Sequence, residues 1–151
     1  MADHTIDAVP NTRSPNRSRS DVYPKAQHLA PRRVLVVDDE PLIRLFVARA
    51  LKASGYDVIQ ADSAERAVEL LTTEGHTLSL LLSDIGLPGA SGVELVQYAR
   101  RFFPDLPAQL MSATSRQCLV SEGLLSATAH VLQKPFKVAD LLSRIDQLLA
   151  R

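Results

Sequence analysis

Five side chains in this sequence stand just past short apolar runs. Asp38 and Asp39 follow "RVLVV", Asp84 follows "LLLS", Ser112 follows "AQLM", and Lys134 with Pro135 follows "HVLQ". Three carboxylates drawn to one place repel one another unless a cation joins them, and hard oxygen ligands of this kind suit Mg²⁺. A hydroxyl and an ammonium at the same place supply donors for an anion. Metal, lysine and hydroxyl together are the equipment of phosphoryl transfer, and an aspartate can itself be the nucleophile that carries the phosphoryl group. Asp84 raises the sharpest question, because three leucines in a row suit a strand buried on both faces, and an acid at the rim of that core costs stability. Taken singly, each residue has an ordinary explanation: acids at a helix N-terminus, a turn serine, a solvated lysine. Taken together these explanations weaken, because the polar residues fall after four different strands while the strands stay apolar.

The segments around these residues alternate regularly. "RVLVV" (33–37) reads as a strand, and Leu42, Ile43, Phe46, Val47, Ala50 and Leu51 then recur at helical spacing. Pro41 suits the first turn of that helix and Gly55 its C-terminal cap. "DVIQA" (57–61) is predicted as a second strand, Ser63 as an N-cap, and Ala64, Ala67, Val68 and Leu71 as one apolar face running to Gly75. A third strand is predicted at "SLLLS" (79–83), with Asp84 one step past its end. Ser91 and Glu94 have capping-box spacing before a helix carried by Val93, Val96 and Ala99, which ends near Pro104. A fourth strand at "AQLM" (108–111), a less regular helix from about Ser115 to Leu125, a fifth strand at "HVL" (130–132) and a final helix with Leu141, Leu142, Ile145, Leu148 and Leu149 complete the pattern. Strict alternation with nearly continuous apolar strands implies an α/β fold, a parallel sheet covered by helices on both faces and joined by right-handed crossovers. Ligands of such sheets bind past the carboxyl ends of the strands.

The chain as a whole narrows the setting. Its 151 residues suffice for one domain with a hydrophobic core, and its 17 basic and 17 acidic residues cancel, so charge draws it toward neither nucleic acid nor an anionic membrane. A single cysteine, Cys118, allows no internal disulfide, and no tract has the length of a membrane span or secretory signal. A cytoplasmic protein is expected. Residues 1–31, with "NTRSPNRSRSD", have the composition of a disordered N-terminal tail, and residues 32–151 that of a globular domain.

"VLVVDDEPLIR", "LLLSDIGLPGASG", "LMSAT" and "LQKPF", in this order and spacing, resemble the receiver domain of two-component response regulators from about Arg33 to Leu149. The resemblance implies the flavodoxin-like doubly wound sheet of five strands in the order 2-1-3-4-5 with five helices. It implies Asp84 as the phosphoacceptor, served by a histidine kinase or histidine phosphotransfer protein. Asp39, Asp84 and the backbone carbonyl of Gly86 are the implied Mg²⁺ ligands, with Asp38 acting through water. Ser112 and Lys134 are implied to hold the phosphoryl oxygens, the Lys134–Pro135 bond is expected to be cis, and the surface of the fourth helix, fifth strand and fifth helix is implied to meet a downstream protein partner. The chain is expected to be a free-standing, non-enzymatic signalling receiver whose catalysis extends at most to its own phosphorylation and dephosphorylation. Val131 stands where the family commonly has a switching Tyr or Phe, Ser112 replaces the commoner Thr, and Gly86 offers no side chain beside the phosphorylation site.

Three other functions compete. An aspartyl-phosphate phosphatase or phosphotransferase often carries Asp-x-Asp after the first strand, where this chain has "DDE". A flavin-binding electron carrier of the same fold needs a Ser/Thr-rich phosphate loop there, and a receiver-like module that never accepts phosphate does not need all five side chains. No Walker loop, dinucleotide fingerprint or metal-binding His/Cys spacing is present.

Overall fold

The structure is a computed structural model that describes residues 30–150. The expected tail of residues 1–31 lies almost entirely outside the described residues. The elements follow in strict alternation: β1 (Arg33–Val37), α1 (Pro41–Ala53), β2 (Asp57–Ala61), α2 (Ala64–Glu74), a short 3-10 turn (Gly75–Thr77), β3 (Leu80–Asp84), α3 (Gly92–Phe102), β4 (Ala108–Ser112), α4 (Arg116–Ser121), β5 (Val131–Gln133) and α5 (Val138–Leu149). All strand pairs are parallel, and the sheet order is β2-β1-β3-β4-β5.

The sheet has two apolar faces because successive strand residues point to opposite sides. Leu35, Val37, Leu81 and Leu110 pack with α2, α3 and α4, while Val34, Val36, Leu80, Leu82, Met111 and Leu132 pack with α1 and α5. Leu80, Leu81 and Leu82 are all fully buried, each contributing on the order of 2 kcal/mol from apolar burial. That run explains how the same strand can bear a buried acid at its end.

Local signals set most helix ends. Pro41 occupies the first turn of α1, and at the other end Gly55 (φ +93°) lies just past the cap, with its N–H on Lys52 O and that of Tyr56 on Leu51 O. This is a Schellman closure, which a residue with a Cβ adopts only under strain. Ser63, Ser91 and Ser115 each accept a hydrogen bond from the N–H three residues on and so start α2, α3 and α4.

Several boundaries differ from the sequence reading. β3 runs one residue later than predicted, so Asp84 is the last strand residue and not the first loop residue; it pairs with Met111, and the next N–H, of Ile85, still bonds Met111 O. β5 is likewise shifted by one, to Val131–Gln133. α4 is a six-residue helix that stops at Ser121, because Gly123 (φ +74°) turns the chain and the N–H groups of Leu124 and Leu125 fold back on Leu119 O. α1 is rotated from its predicted face: Val47, Ala48 and Leu51 are buried, whereas Leu42 is 82% and Phe46 48% exposed. The small Ala48 lets the helix approach the sheet closely, and the larger side chains are left on the outer stripe.

Candidate functional site at the carboxyl end of the sheet

β1, β3, β4 and β5 bring the predicted residues together at their carboxyl ends, by backbone pairing that continues past the strand ends. The N–H of Asp38 donates to Ala61 O (3.2 Å), and that of Lys134 donates to Ser112 O (2.7 Å). The Lys134–Pro135 bond is cis. With the backbone held this way, Lys134 Nζ lies 2.7 Å from Asp38 Oδ2 and 3.3 Å from Asp84 Oδ1. Asp38, Asp84 and Lys134 are all buried at the side chain, while Asp39 is exposed at the mouth.

Asp38 is pinned on every side: its Oδ1 accepts the Glu40 N–H (3.0 Å) and its backbone carbonyl accepts Arg44 Nη1 (2.7 Å). Ser112, at the end of β4, is buried, but its Oγ accepts the Thr114 N–H (3.0 Å), so its hydroxyl orders the following loop and is not bonded to Asp84 or Lys134. Gly86 lies two residues past Asp84 at the exposed rim; a Cβ there would sit 3.8 Å from Asp84 Oδ2, in ordinary contact.

Electrostatically the site is strained toward negative charge. Burial pushes the Asp84 carboxyl above the usual carboxylate range, Lys134 pulls it back, and Asp38 and Asp39 push it up again, leaving it raised. Burial works to lower the Lys134 ammonium, but its bonds to Asp38 and Asp84 outweigh that and hold it above its ordinary value. One oxygen from each of Asp38, Asp39 and Asp84 lies within 4.8 Å of the others. Three carboxylates face one ammonium, a donor set of hard oxygens with negative charge in excess, and this fits a small divalent cation such as Mg²⁺.

Two positions escaped the sequence reading. Arg44 reaches back from α1 to Asp38 O, and nothing in its helical spacing marks it. Gly92, the first residue of α3, packs so closely that a Cβ would collide with the Asp84 carbonyl oxygen. Its place after "PGAS" signals a turn but not this approach.

The Response regulator receiver domain model matches residues 34–146. The chain belongs to the response regulator receiver family. Among its relatives, the response regulator receiver protein CpdR of Brucella abortus (strain 2308) is 34% identical over 118 residues, which span 78% of this chain and 97% of that protein. Three other curated relatives are longer, and the chain spans 50%, 24% and 60% of their lengths. A CheY-like receiver domain protein from Methanospirillum hungatei JF-1 superposes with a TM-score of 0.69 at 29% identity, covering 80% of this chain and 94% of the other. The Thermotoga maritima response regulator TrrA, solved with Mg²⁺-BeF, gives a TM-score of 0.66 at 32% identity, covering 78% of this chain and 99% of the other. As a receiver domain, the protein has the flavodoxin-like fold in the expected strand order and belongs to two-component signalling, a signalling role and not that of a conventional enzyme. Phosphorylation on aspartate and Mg²⁺ coordination at an acidic pocket are general properties of the family, and histidine kinases are among the partners of its members. No helix among the described residues is long and apolar enough to cross a membrane.

Proposed function

We propose that this receiver accepts a phosphoryl group on Asp84 from a phosphohistidine donor, in a cytoplasmic two-component or phosphorelay pathway. The observation that carries this reading is the buried Asp84 carboxylate, poised 3.3 Å from Lys134 Nζ inside an acidic cluster that is open at Asp39. An Asp84 carboxylate oxygen attacks phosphorus, the P–N bond breaks, and the imidazole leaves with the electron pair and takes up a proton. In this reading Asp39, Asp84 and the Gly86 carbonyl would hold Mg²⁺, with Asp38 acting through water, and the metal would supply charge neutralisation for phosphoryl oxygens.

Within the chain, Lys134 is the ammonium that moves from the Asp38–Asp84 pair to the phosphoryl group, and Ser112 is the hydroxyl whose proton is donated to a phosphoryl oxygen while its Oγ accepts the Thr114 N–H. Both residues lead into the β4–α4 and β5–α5 connections, so the new negative charge is read on the α4–β5–α5 surface by a downstream protein. Val131 cannot swing as a ring does. Arg116, the first residue of α4, bonds the carbonyls of Ala127 and Ala129 and supports a different link between α4 and the approach to β5.

Leu42, Leu45 and Phe46 form an exposed apolar stripe on α1 close to Asp39, and they support docking of the histidine-bearing donor there. Leu42→Asp is expected to slow transfer from the cognate kinase while acetyl phosphate labelling is unchanged; equal slowing of both would remove the stripe from the donor interface.

The decisive test is intact mass after incubation with Mg²⁺ and acetyl phosphate. The wild type is expected to gain one phosphoryl group and Asp84→Asn none. Labelling of the variant at an unchanged rate would overturn the assignment, and failure of the folded wild type with acetyl phosphate and kinase alike would favour a phosphate-independent interaction module.

A further inference from the structure

At the amino end of the sheet, opposite Asp84, a second polar cluster surrounds a cavity. β5 pairs only with Leu110, Met111 and Ser112 of β4, so the first two residues of β4 run beyond the short edge strand. A cavity of about 750 Å³ opens at this step, lined by Arg100, Gln109, His130 and Arg144 together with Leu106 and Leu148. This is the size range of small-molecule pockets.

Gln109 organises the cationic wall. Its side chain is buried, with the residue only 1% exposed, and its Oε1 accepts Arg144 Nε at 2.7 Å. Its Nε2 lies 3.1 Å from His130 Nδ1 and donates to the carbonyls of His130 (3.2 Å) and Leu110 (2.9 Å). A neutral amide thus fixes a guanidinium without neutralising it and holds an imidazole beside it. Arg144 has only a long bond to Gln147 Oε1 besides, and among the described residues neither Arg100 nor Arg144 has a carboxylate within ion-pair distance. Among the described residues Asp105 is the one acid lining the cavity. Burial first, then Arg144 and Arg116, hold the His130 imidazole below its ordinary proton affinity, as expected where positive charge is in excess.

Two uncompensated guanidiniums match a dianionic group, and their planar donor forks suit phosphate oxygens. The apolar walls suit a carbon skeleton. We infer that this cavity binds a small organic phosphate, with Arg100 and Arg144 on its dianionic group and Leu106 and Leu148 against its body.

The full ¹⁵N-labelled chain is titrated, in metal-free buffer, with adenosine monophosphate, glucose 6-phosphate and 3-phosphoglycerate, with adenosine and inorganic phosphate as controls. At least one organic phosphate is expected to shift the amides of Arg100, Gln109, His130 and Arg144 with a dissociation constant below about 1 mM, and Arg100→Glu is expected to weaken it by about tenfold or more. Arg100 is exposed and makes no side-chain hydrogen bond among the described residues, so acetyl phosphate labelling of Asp84 in this variant serves as the check that the fold is intact. No shift with any of the three organic phosphates at about 10 mM, a concentration that would reveal even weak binding, overturns the site. So does equal affinity for adenosine, or an affinity that Arg100→Glu leaves unchanged. Inorganic phosphate binding as tightly as every organic phosphate overturns the role of the apolar walls.

Discussion

At the carboxyl end of the sheet Asp38 and Asp84 are buried as charges and share one ammonium, whereas at the amino end Gln109 is buried as a neutral amide with both its oxygen and its nitrogen bonded. The first arrangement leaves the Asp84 carboxyl raised in pKa by burial and by Asp38 and Asp39 against the pull of Lys134, so part of the chain's stability is given up to keep an acid at this rim. The second satisfies its polar atoms and gives up little. Burial of a polar group is thus not in itself a sign of function; burial with charge left over is the informative case, and it occurs at the carboxyl rim, whereas at the amino rim the buried group is neutral and Arg100 stays exposed.

The largest effect that would sharpen this contrast is expected for Lys134→Met. Removing the ammonium leaves Asp38 Oδ2 buried without its 2.7 Å partner, and the protein should lose about 3 kcal/mol in the presence of a chelator. Urea unfolding with and without Mg²⁺ checks it: millimolar Mg²⁺ should restore most of the loss, and a deficit indifferent to Mg²⁺ would mean that the three carboxylates do not hold the ion. A smaller effect, about 2 kcal/mol, is expected for Gly92→Ala, because the added methyl meets the Asp84 carbonyl and forces α3 or the end of β3 to move. Acetyl phosphate labelling of that variant should also slow, since the same shift displaces the Asp84 backbone; an unchanged melting temperature and rate would show that α3 retreats freely.

The amino end should respond least. Gln109→Leu is expected to cost about 1 kcal/mol, because the guanidinium and imidazole it releases can reach water. His130 faces Gln109, Arg144 and Arg116, and burial, then the two arginines, depress its folded pKa. The unfolded chain therefore binds this proton more readily. Its contribution to stability is fully present above the unfolded value of about 6.5 and is lost as the pH falls through that value toward the folded one. Urea midpoints between about pH 5 and pH 8 should fall less steeply toward acid in His130→Gln than in the wild type; identical slopes would remove His130 from the balance.

Much of the carboxyl rim was legible because each of its residues follows a strand whose apolar run is unmistakable. Asp38, Asp39, Asp84 and Lys134 meet as their positions imply, while Ser112 reaches the same rim with its Oγ accepting the Thr114 N–H. The outer face of α1 was misread at Leu42 and Phe46, since an apolar spacing of 3.6 residues does not say which of two adjacent stripes meets the sheet. The end of α4 was misread because Gly123 acts through a positive φ and a return of the next two N–H groups to Leu119, a closure that periodicity does not encode. Gln109 looked like an ordinary strand residue, as its partners lie in other elements.

The alternation of strands and helices, hence a parallel sheet, hence the rim at which the acids collect, is already written in the amino-acid order; it follows from local periodicity, capping residues and the rule that parallel strands are joined by crossovers. Folding alone brings Lys134 to 2.7 Å from Asp38 across 96 residues of chain, sets Gly92 against Asp84, and gathers Gln109, His130 and Arg144 into one cluster. Those distances depend on strand register and helix rotation. Both are set by how whole apolar faces pack, and no single stretch of sequence contains both sides of that contact.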